Sequence, residues 1–153
     1  MRIREASLKE SDSIVDEFWL PLAREMERYS RFNSLKDDAR GRAREAIREK
    51  FSEDNYTVYV LEDSEEKIGY ISVEKGHRRT RKKDSYAEIL SFYVKKDFRG
   101  QGYGTELIEH VKKEVEEDCD YLKLYVESEN EKARRLYRRE GFKKKQVEYC
   151  MEI

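Results

Sequence analysis

The apolar positions in the first third of the chain recur at helical spacing. Between Ser7 and Tyr29 they fall three or four residues apart, which predicts an amphipathic helix. Pro21 lies inside this pattern and is expected to kink the helix or to split it in two, because proline has no backbone N–H to donate. A second helix is predicted from Lys36 to Phe51, where most positions are charged and only a narrow apolar stripe can be buried.

The spacing changes to that of β-strands near residue 56. Residues 56–63 and 67–75 alternate or run apolar on either side of Ser-Glu-Glu, a pattern typical of a β-hairpin. A polar loop is predicted at 76–84. The strongest strand pattern of the chain follows at 85–94 and is expected to lie centrally in the sheet.

Helix and strand patterns alternate over the rest of the chain. A helix after the glycines at 100–104 buries Leu107, Ile108, Val111 and Val115 on one face. A strand at 120–126 and a helix from Asn130 to Glu140 come next, and residues 141–153 are expected to form one or two closing strands. With a short first strand at 2–7, this order predicts one α/β domain over residues 1–153, a mixed sheet with helices on both faces.

Charge and composition limit the possible partners. Charged residues make up 44% of the chain, but 33 Lys and Arg stand against 34 Asp and Glu, so the net charge favours neither a polyanion nor a membrane. No apolar run approaches the ~20 residues of a membrane span, and a cytoplasmic protein is expected. The two Cys and two His have no metal-binding spacing, so no metal site is predicted.

A glycine-rich turn, Phe-Arg-Gly-Gln-Gly-Tyr-Gly-Thr at 98–105, joins the predicted strand 85–94 to the helix after it. Its spacing matches neither the Walker phosphate loop nor the dinucleotide fingerprint. A helix N-terminus nevertheless presents unpaired N–H groups to an anion, and glycines let a phosphate come close to them. The turn therefore predicts a phosphate site, with a tight turn that binds no ligand as the alternative.

A second group of polar residues lies on the last predicted helix. Asn130 and Tyr137 are seven residues apart, so they share a helix face and lie about 10 Å apart along the axis. An amide and a phenol on one face could follow a long ligand towards its reactive end. The alternative is that Tyr137 only packs in the core.

Together these stretches resemble the GCN5-related N-acetyltransferase (GNAT) family. The turn matches the family's acyl-CoA motif Arg/Gln-x-x-Gly-x-Gly/Ala, and "NEKARRLYRREGF" at 130–142 matches its motif Asn-x-x-Ala-x-x-Leu-Tyr-x-x-x-Gly-Phe. The opening "IREASLKESDSI" is similar to the family's first strand and helix. The resemblance implies a mostly antiparallel sheet with a splayed strand edge that binds acyl-CoA.

The resemblance also implies roles for individual residues. Tyr137 would be the general acid, and Glu88, eleven residues before Arg99, the general base, with a water relay as the alternative. Asn130, with Ala133 beside it in the motif, would contact the pantetheine arm. The remaining acetyl-CoA contacts are expected at the strand edge and the turn: Phe92, Tyr93, Val94, Arg99, Gly100, Gln101, Gly102, Tyr103, Gly104 and Thr105.

The implied activity is transfer of an acetyl group from acetyl-CoA to a primary amine. The sequence leaves the acceptor open between a protein N-terminus or lysine and a polyamine or other small amine. A non-catalytic acyl-CoA sensor with the same fold is the alternative function. The basic loop 77–83 also suggests a nucleic-acid binder, which is disfavoured because the rest of the chain neutralises it. The oligomeric state stays open, with a homodimer among the alternatives.

Overall fold

A five-stranded mixed sheet organises the computed structural model, which describes residues 1–153. The strands are β1 (Arg2–Glu5), β2 (Tyr56–Asp63), β3 (Glu66–His77), β4 (Ser85–Val94) and β5 (Tyr121–Leu124), and they lie side by side in that order. The first four pair antiparallel, and β5 pairs parallel to β4. The predicted hairpin is confirmed, with Ser64 and Glu65 at positive φ in its two-residue turn.

Helices cover both faces of the sheet, as predicted. The helices are α1 (Ser11–Ile14), α2 (Leu20–Glu27), α3 (Ala39–Phe51), α4 (Tyr103–Val115) and α5 (Glu131–Arg139). One core cluster contains the four α4 residues predicted to be buried, and α5 packs against it; this side is called the α4 face. The other cluster holds residues of α1 and α3, and this side is called the α1 face. None of the helices combines the length and the apolar character that a membrane-spanning helix requires.

Pro21 does not break the first helical region. A π-helical turn, Val15–Trp19, connects α1 to α2, and the backbone stays right-handed helical from Ile14 to Leu20. The Leu20 N–H donates to the Val15 carbonyl five residues back. Pro21 then occupies the first turn of α2, where a missing N–H costs little. A π turn accommodates one extra residue within a helix. Here it is found in place of the expected kink or split.

The strand β4 contains a bulge that the sequence reading did not predict. Ser72 of β3 lies opposite Ser91 and Val73 opposite Ile89, so Leu90 is an extra residue on β4. Before the bulge Ala87 and Ile89 face α4, whereas beyond it Phe92 and Val94 do. The bulge therefore reverses which positions of β4 face each side.

The predicted closing strands are absent. Residues 143–153 form no helix or strand, every one of them is exposed, and none of their backbone groups makes a hydrogen bond within the chain. The polar loop is also shorter than predicted, because β3 continues to His77. β4 lies fourth among the five strands, one place from the edge rather than in the middle.

Candidate functional site

Half of β4 has a free edge. Its pairing with β5 ends at Ile89 and Leu124, at the bulge, while its pairing with β3 continues to Val94. Residues 90–94, which include Phe92, Tyr93 and Val94, therefore present backbone groups to a gap on the β5 side. An extended ligand that carries amides can pair with such an edge as an added strand does. This is the splayed edge that the resemblance implied.

The glycine turn follows directly on this free edge. None of the six backbone N–H groups from Gly100 to Thr105 donates a hydrogen bond within the chain, whereas an ordinary helix start leaves about four such groups. Gly100 and Gly102 have φ of +79° and +86°, and no atom lies within 4 Å of a Cβ built at either. Because this backbone favours glycine, the turn can keep its N–H groups open to an anion.

Gly104 has a different role from Gly100 and Gly102. A Cβ at this position would lie 3.2 Å from the Phe92 ring and 3.6 Å from a Leu136 methyl. Glycine here lets α4 pack closely against β4 and α5. The three glycines of the motif thus serve two purposes, two by their backbone conformation and one by close packing.

The Arg99 side chain points away from the open amides. Its Nε donates to the Val94 carbonyl at 2.7 Å, its Nη2 donates to Glu25 at 3.0 Å, and the guanidinium lies over the Tyr93 ring. Glu25 therefore compensates the positive charge of Arg99, a residue that was expected to contact acetyl-CoA. In this arrangement Arg99 fixes the end of β4 to α2.

The α5 residues of the second motif are divided between structure and site. The Asn130 Oδ1 accepts a hydrogen bond from the Ala133 N–H at 3.2 Å and caps the helix. The Nδ2 group of Asn130 donates no hydrogen bond within the chain and stays available to a ligand. The expected contact with a pantetheine arm can be made through that group.

Tyr137 lies between two aromatic side chains. Its ring centroid is 6.3 Å from that of Phe92 and 5.9 Å from that of Phe142. Burial raises the pKa of Tyr137 to about 12, and no charged neighbour contributes to the shift. The phenol therefore keeps its proton at neutral pH, as a general acid must.

Glu88 lies on the α1 face of β4, because its neighbours Ala87 and Ile89 face α4. Its carboxylate is 3.6 Å from the Lys123 ammonium, which also lies over the Tyr86 ring. Directly opposite on β3 is Glu74, which is bonded to Lys50. In the free protein Glu88 is thus a strand carboxylate paired with a lysine.

The two candidate catalytic side chains lie on opposite faces of the sheet, since Tyr137 packs on the α4 face. The gap between β4 and β5 beyond Ile89 and Leu124 connects the two faces of the sheet. A ligand on the free edge of β4 would lie in this gap. Glu88 precedes the start of the gap by two residues.

An apolar hollow lies on the α1 face beyond this gap. Its volume is about 250 Å³, and it is lined by Trp19, Leu22, Ala23, Met26, Asn33 and Leu35. The Asn33 Nδ2 donates to the Glu127 carboxylate at 2.8 Å, which ties the hollow to the chain just after β5. Of the aromatic residues near α2, Trp19 lines the hollow, whereas Phe32 is half exposed.

Sequence reasoning missed three parts of this site. The bulge left a signal in the sequence, because apolar residues occupy the successive positions 89 and 90 and break the alternation of β4. The Glu25–Arg99 and Glu88–Lys123 pairs had no signal, since their partners are 74 and 35 residues apart in the chain. Acidic and basic residues are so frequent here that charge alone does not identify pairs.

A family model described as "Acetyltransferase (GNAT) family" matches residues 17–142. The match includes the free edge of β4, the glycine turn and α5. It ends at Phe142, the last residue of the second motif.

Known proteins are similar to this chain to different extents. An uncharacterised N-acetyltransferase of Methanocaldococcus jannaschii is 33% identical over 93 residues, which cover 58% of this chain and 40% of that protein. The crystal structure of a tetramutant protein from Bacillus halodurans has a TM-score of 0.82 at 19% identity and covers all of both chains. A structure described as a transcriptional regulator from Bacillus halodurans has a TM-score of 0.78 at 25% identity over 99% of each chain.

Proposed function

The chain belongs to the GNAT family of acetyltransferases, and on that premise we propose that it transfers an acetyl group from acetyl-CoA to a primary amine. The observation that carries this proposal is the continuity of the free β4 edge with the six open amides of the glycine turn. A donor that combines an extended, amide-bearing arm with a diphosphate would fit both parts. Acetyl-CoA has this shape and supplies the acetyl group as an activated thioester.

The donor would be held mainly by backbone groups. Residues 90–94 would pair with the pantetheine arm, Asn130 Nδ2 would contact it from α5, and the amides of Gly100–Thr105 would bind the pyrophosphate. Arg99 would contribute by fixing the turn rather than by direct contact, because Glu25 and Val94 already bind its guanidinium. The geometry of the free protein thus favours the backbone amides over the Arg99 side chain as the proposed anion site.

Two side chains would move protons in the reaction. The amine nitrogen forms a bond to the acetyl carbon as the carbon–sulfur bond breaks. Glu88, directly or through water, would take the proton that the amine loses, and Tyr137 Oη would give one to the departing sulfur. The reference pKa of a thiol is ~8.5, so the thiolate is a fair leaving group and its protonation by Tyr137 would contribute modestly to the rate. Much of the rate would come from the alignment of amine and thioester.

The acceptor would approach from the α1 face. Glu88 lies on that face, and the hollow beside Trp19 opens there. Its apolar walls and the nearby Glu127 suit an acceptor in which a cationic amine is attached to an apolar group. Such groups occur in peptide N-termini as well as in small amines, so both acceptor classes stay in the proposal.

An acyl-CoA sensor is the second candidate. It is favoured by the transcriptional regulator of Bacillus halodurans, which is 25% identical and shares the fold. A sensor would bind acetyl-CoA without turnover and would not require proton donation by Tyr137. The raised pKa of Tyr137 is common to both candidates and does not separate them.

One experiment separates enzyme from sensor. Thiol release from acetyl-CoA is measured with a panel of N-terminal peptides, polyamines and small amines, and calorimetry measures acetyl-CoA binding in the same samples. Release that depends on one acceptor class supports the enzyme. Binding without release for any amine supports the sensor, and absence of both contradicts the acyl-CoA site itself.

A further inference from the structure

A small cavity on the α4 face is separate from the proposed acetyl-CoA site. Its volume is about 190 Å³, and it is bounded by β1, β2, β3 and the last turn of α4. The glycine turn lies at the other end of this helix, about 20 Å away, because α4 has 13 residues. The lining combines polar side chains with two valines: Glu5, Asp54, Asn55, Thr57, Tyr59, Val73, Lys75, Glu114 and Val115.

The Tyr59 side chain brings a hydroxyl without a partner to this cavity. The residue is only 8% exposed, and its hydroxyl makes no hydrogen bond within the chain. Only at Tyr70 is an unpartnered side-chain polar atom fully buried, so the Tyr59 hydroxyl keeps access to the cavity. Burial and the nearby carboxylates of Glu114 and Glu5 raise the pKa of Tyr59 to about 12. The hydroxyl is therefore neutral, lies close to negative charges and lacks a partner that a ligand could supply.

Three carboxylates of the lining have no lysine or arginine partner. Glu5 and Asp54 form no ion pair, and Glu114 approaches only a histidine, at 3.9 Å. Lys75 is the one cationic side chain of the lining, and its ammonium is bonded to Asp118 at 2.5 Å. The end of α4 adds the negative pole of the helix dipole, which also favours a cation. The cavity therefore attracts positive charge.

The uncharged polar groups of the lining offer acceptors. The Asn55 Nδ2 donates to the Lys75 carbonyl at 2.8 Å, which leaves the Asn55 Oδ1 free to accept. The Thr57 hydroxyl makes no hydrogen bond within the chain and can also accept one. An ammonium has three N–H donors and no acceptor, so it complements a surface of this kind.

The acceptors form two groups with an apolar residue between them. Val73 pairs with Thr57, which is two residues and about 7 Å along β2 from Tyr59. Glu5 lies directly opposite Tyr59 in the β1–β2 pairing. One group thus surrounds Tyr59, and the other lies just before β2: Glu5, Tyr59 and Glu114 in the first, Asp54 and Asn55 in the second.

This arrangement suits an organic dication better than a metal ion. No three carboxylate, imidazole or thiol groups are placed to hold one metal ion. The cavity has room for roughly six water molecules of about 30 Å³ each, and it is smaller than the about 300–1,000 Å³ of pockets for drug-sized ligands. Two acceptor groups on either side of an apolar strip match two ammonium groups joined by a short alkyl chain.

We propose that this cavity binds a short aliphatic diamine. One ammonium would lie among Glu5, Tyr59 and Glu114, the other would lie at Asp54 and Asn55, and the valines would contact the alkyl chain. The site does not depend on the proposed acetyl transfer. A diamine bound here would not be the acetyl acceptor, because the cavity is on the α4 face and the acceptor would approach from the α1 face.

Calorimetry with two amines of the same chain length is the first test. Diaminobutane and butylamine are titrated into the full chain in the absence of acetyl-CoA. Diaminobutane should bind about tenfold or more tightly than butylamine, because only the diamine can meet both acceptor groups. Equal affinities, or no saturable binding of diaminobutane, would overturn the proposal.

Carboxylate variants locate the bound diamine. Glu114→Gln and Asp54→Asn should each weaken diaminobutane binding about tenfold, and Asp54→Asn should also remove the preference over butylamine. Glu116→Gln is the matched control, since Glu116 is exposed just beyond α4 and does not line the cavity. An equal loss in Glu116→Gln would indicate unspecific attraction. A loss in Glu127→Gln instead would place the diamine in the hollow beside Trp19, and either result would overturn the proposal.

Discussion

The ring of Tyr137 on α5 lies 6.3 Å from the ring of Phe92 on β4, centroid to centroid. This contact places the phenol of the 130–142 motif beside the free edge of β4, which leads into the glycine turn. The two residues are far apart in the chain, and Gly104 favours the close approach of α5 to β4, because a Cβ there would lie 3.2 Å from the Phe92 ring and 3.6 Å from a Leu136 methyl. The candidate acid is therefore held at the place where the thioester of a bound donor is expected.

We expect Tyr137→Phe to lower kcat about tenfold to a hundredfold, at the low end of general-acid effects because a thiolate is a fair leaving group. The ring contacts with Phe92 and Phe142 remain, so acetyl-CoA binding should not change. Tyr59→Phe is the matched control, since Tyr59 is another phenol whose pKa is raised to about 12, at a distant position on β2. Unchanged kcat in Tyr137→Phe would remove the residue from the proton transfer.

Glu88→Gln should change the pH dependence of kcat/KM for the acceptor. Without a base the enzyme depends on amine that is already neutral, so the rate should keep rising with pH where the wild type has levelled off. Glu74→Gln is the control, because Glu74 is the neighbouring carboxylate on the same face and is bonded to Lys50. If both variants keep the wild-type profile, a base other than Glu88 acts.

Gly102→Ala should raise the KM and the Kd for acetyl-CoA about tenfold. Alanine at a φ of +86° costs about 1–2 kcal/mol, and the turn can relax only by moving the open amides. Gly41→Ala on α3 is the control, because a Cβ there meets no atom within 4 Å. That variant should stabilise the protein by about 0.5–1 kcal/mol and leave both constants unchanged. Normal acetyl-CoA binding by Gly102→Ala would argue against the amide site.

The Arg4–Glu10 pair should make stability depend on acid pH. Arg4 donates to both Glu10 oxygens, at 3.0 and 2.8 Å, and chiefly this pairing lowers the pKa of Glu10. A depressed carboxyl pKa stabilises the fold above the unfolded value of about 4.3, and the contribution is lost as pH falls through the folded value.

Chemical denaturation of Glu10→Gln tests this dependence. It should show a loss of about 1 kcal/mol at pH 7, and the difference from wild type should shrink below about pH 4. Glu45→Gln, at an exposed position on α3, should show no such trend. A loss that is the same at pH 7 and pH 3 would mean that the charge of Glu10 is not responsible.

Local patterns in the sequence determined the order of the elements as far as α5. Alternating and helical apolar spacing identified β1 to β5, and the buried face of α4 was predicted residue by residue. The two motifs also identified the family, because fixed glycine, asparagine and tyrosine spacings describe a local turn and one helix face. These features depend on neighbours within a few residues, which the sequence shows directly.

The pairing and the side-chain contacts between those elements were determined by the tertiary structure alone. The end of β4–β5 pairing at Leu124, the opposite faces of Glu88 and Tyr137, and the binding of Arg99 by Glu25 depend on residues far apart in the chain. Whether residues 143–153 form a strand also depends on an edge that accepts it, and apolar alternation does not say which edge that is. The spacing of apolar residues along a helix or strand indicates which face is buried, whereas the tertiary fold determines what packs against that face.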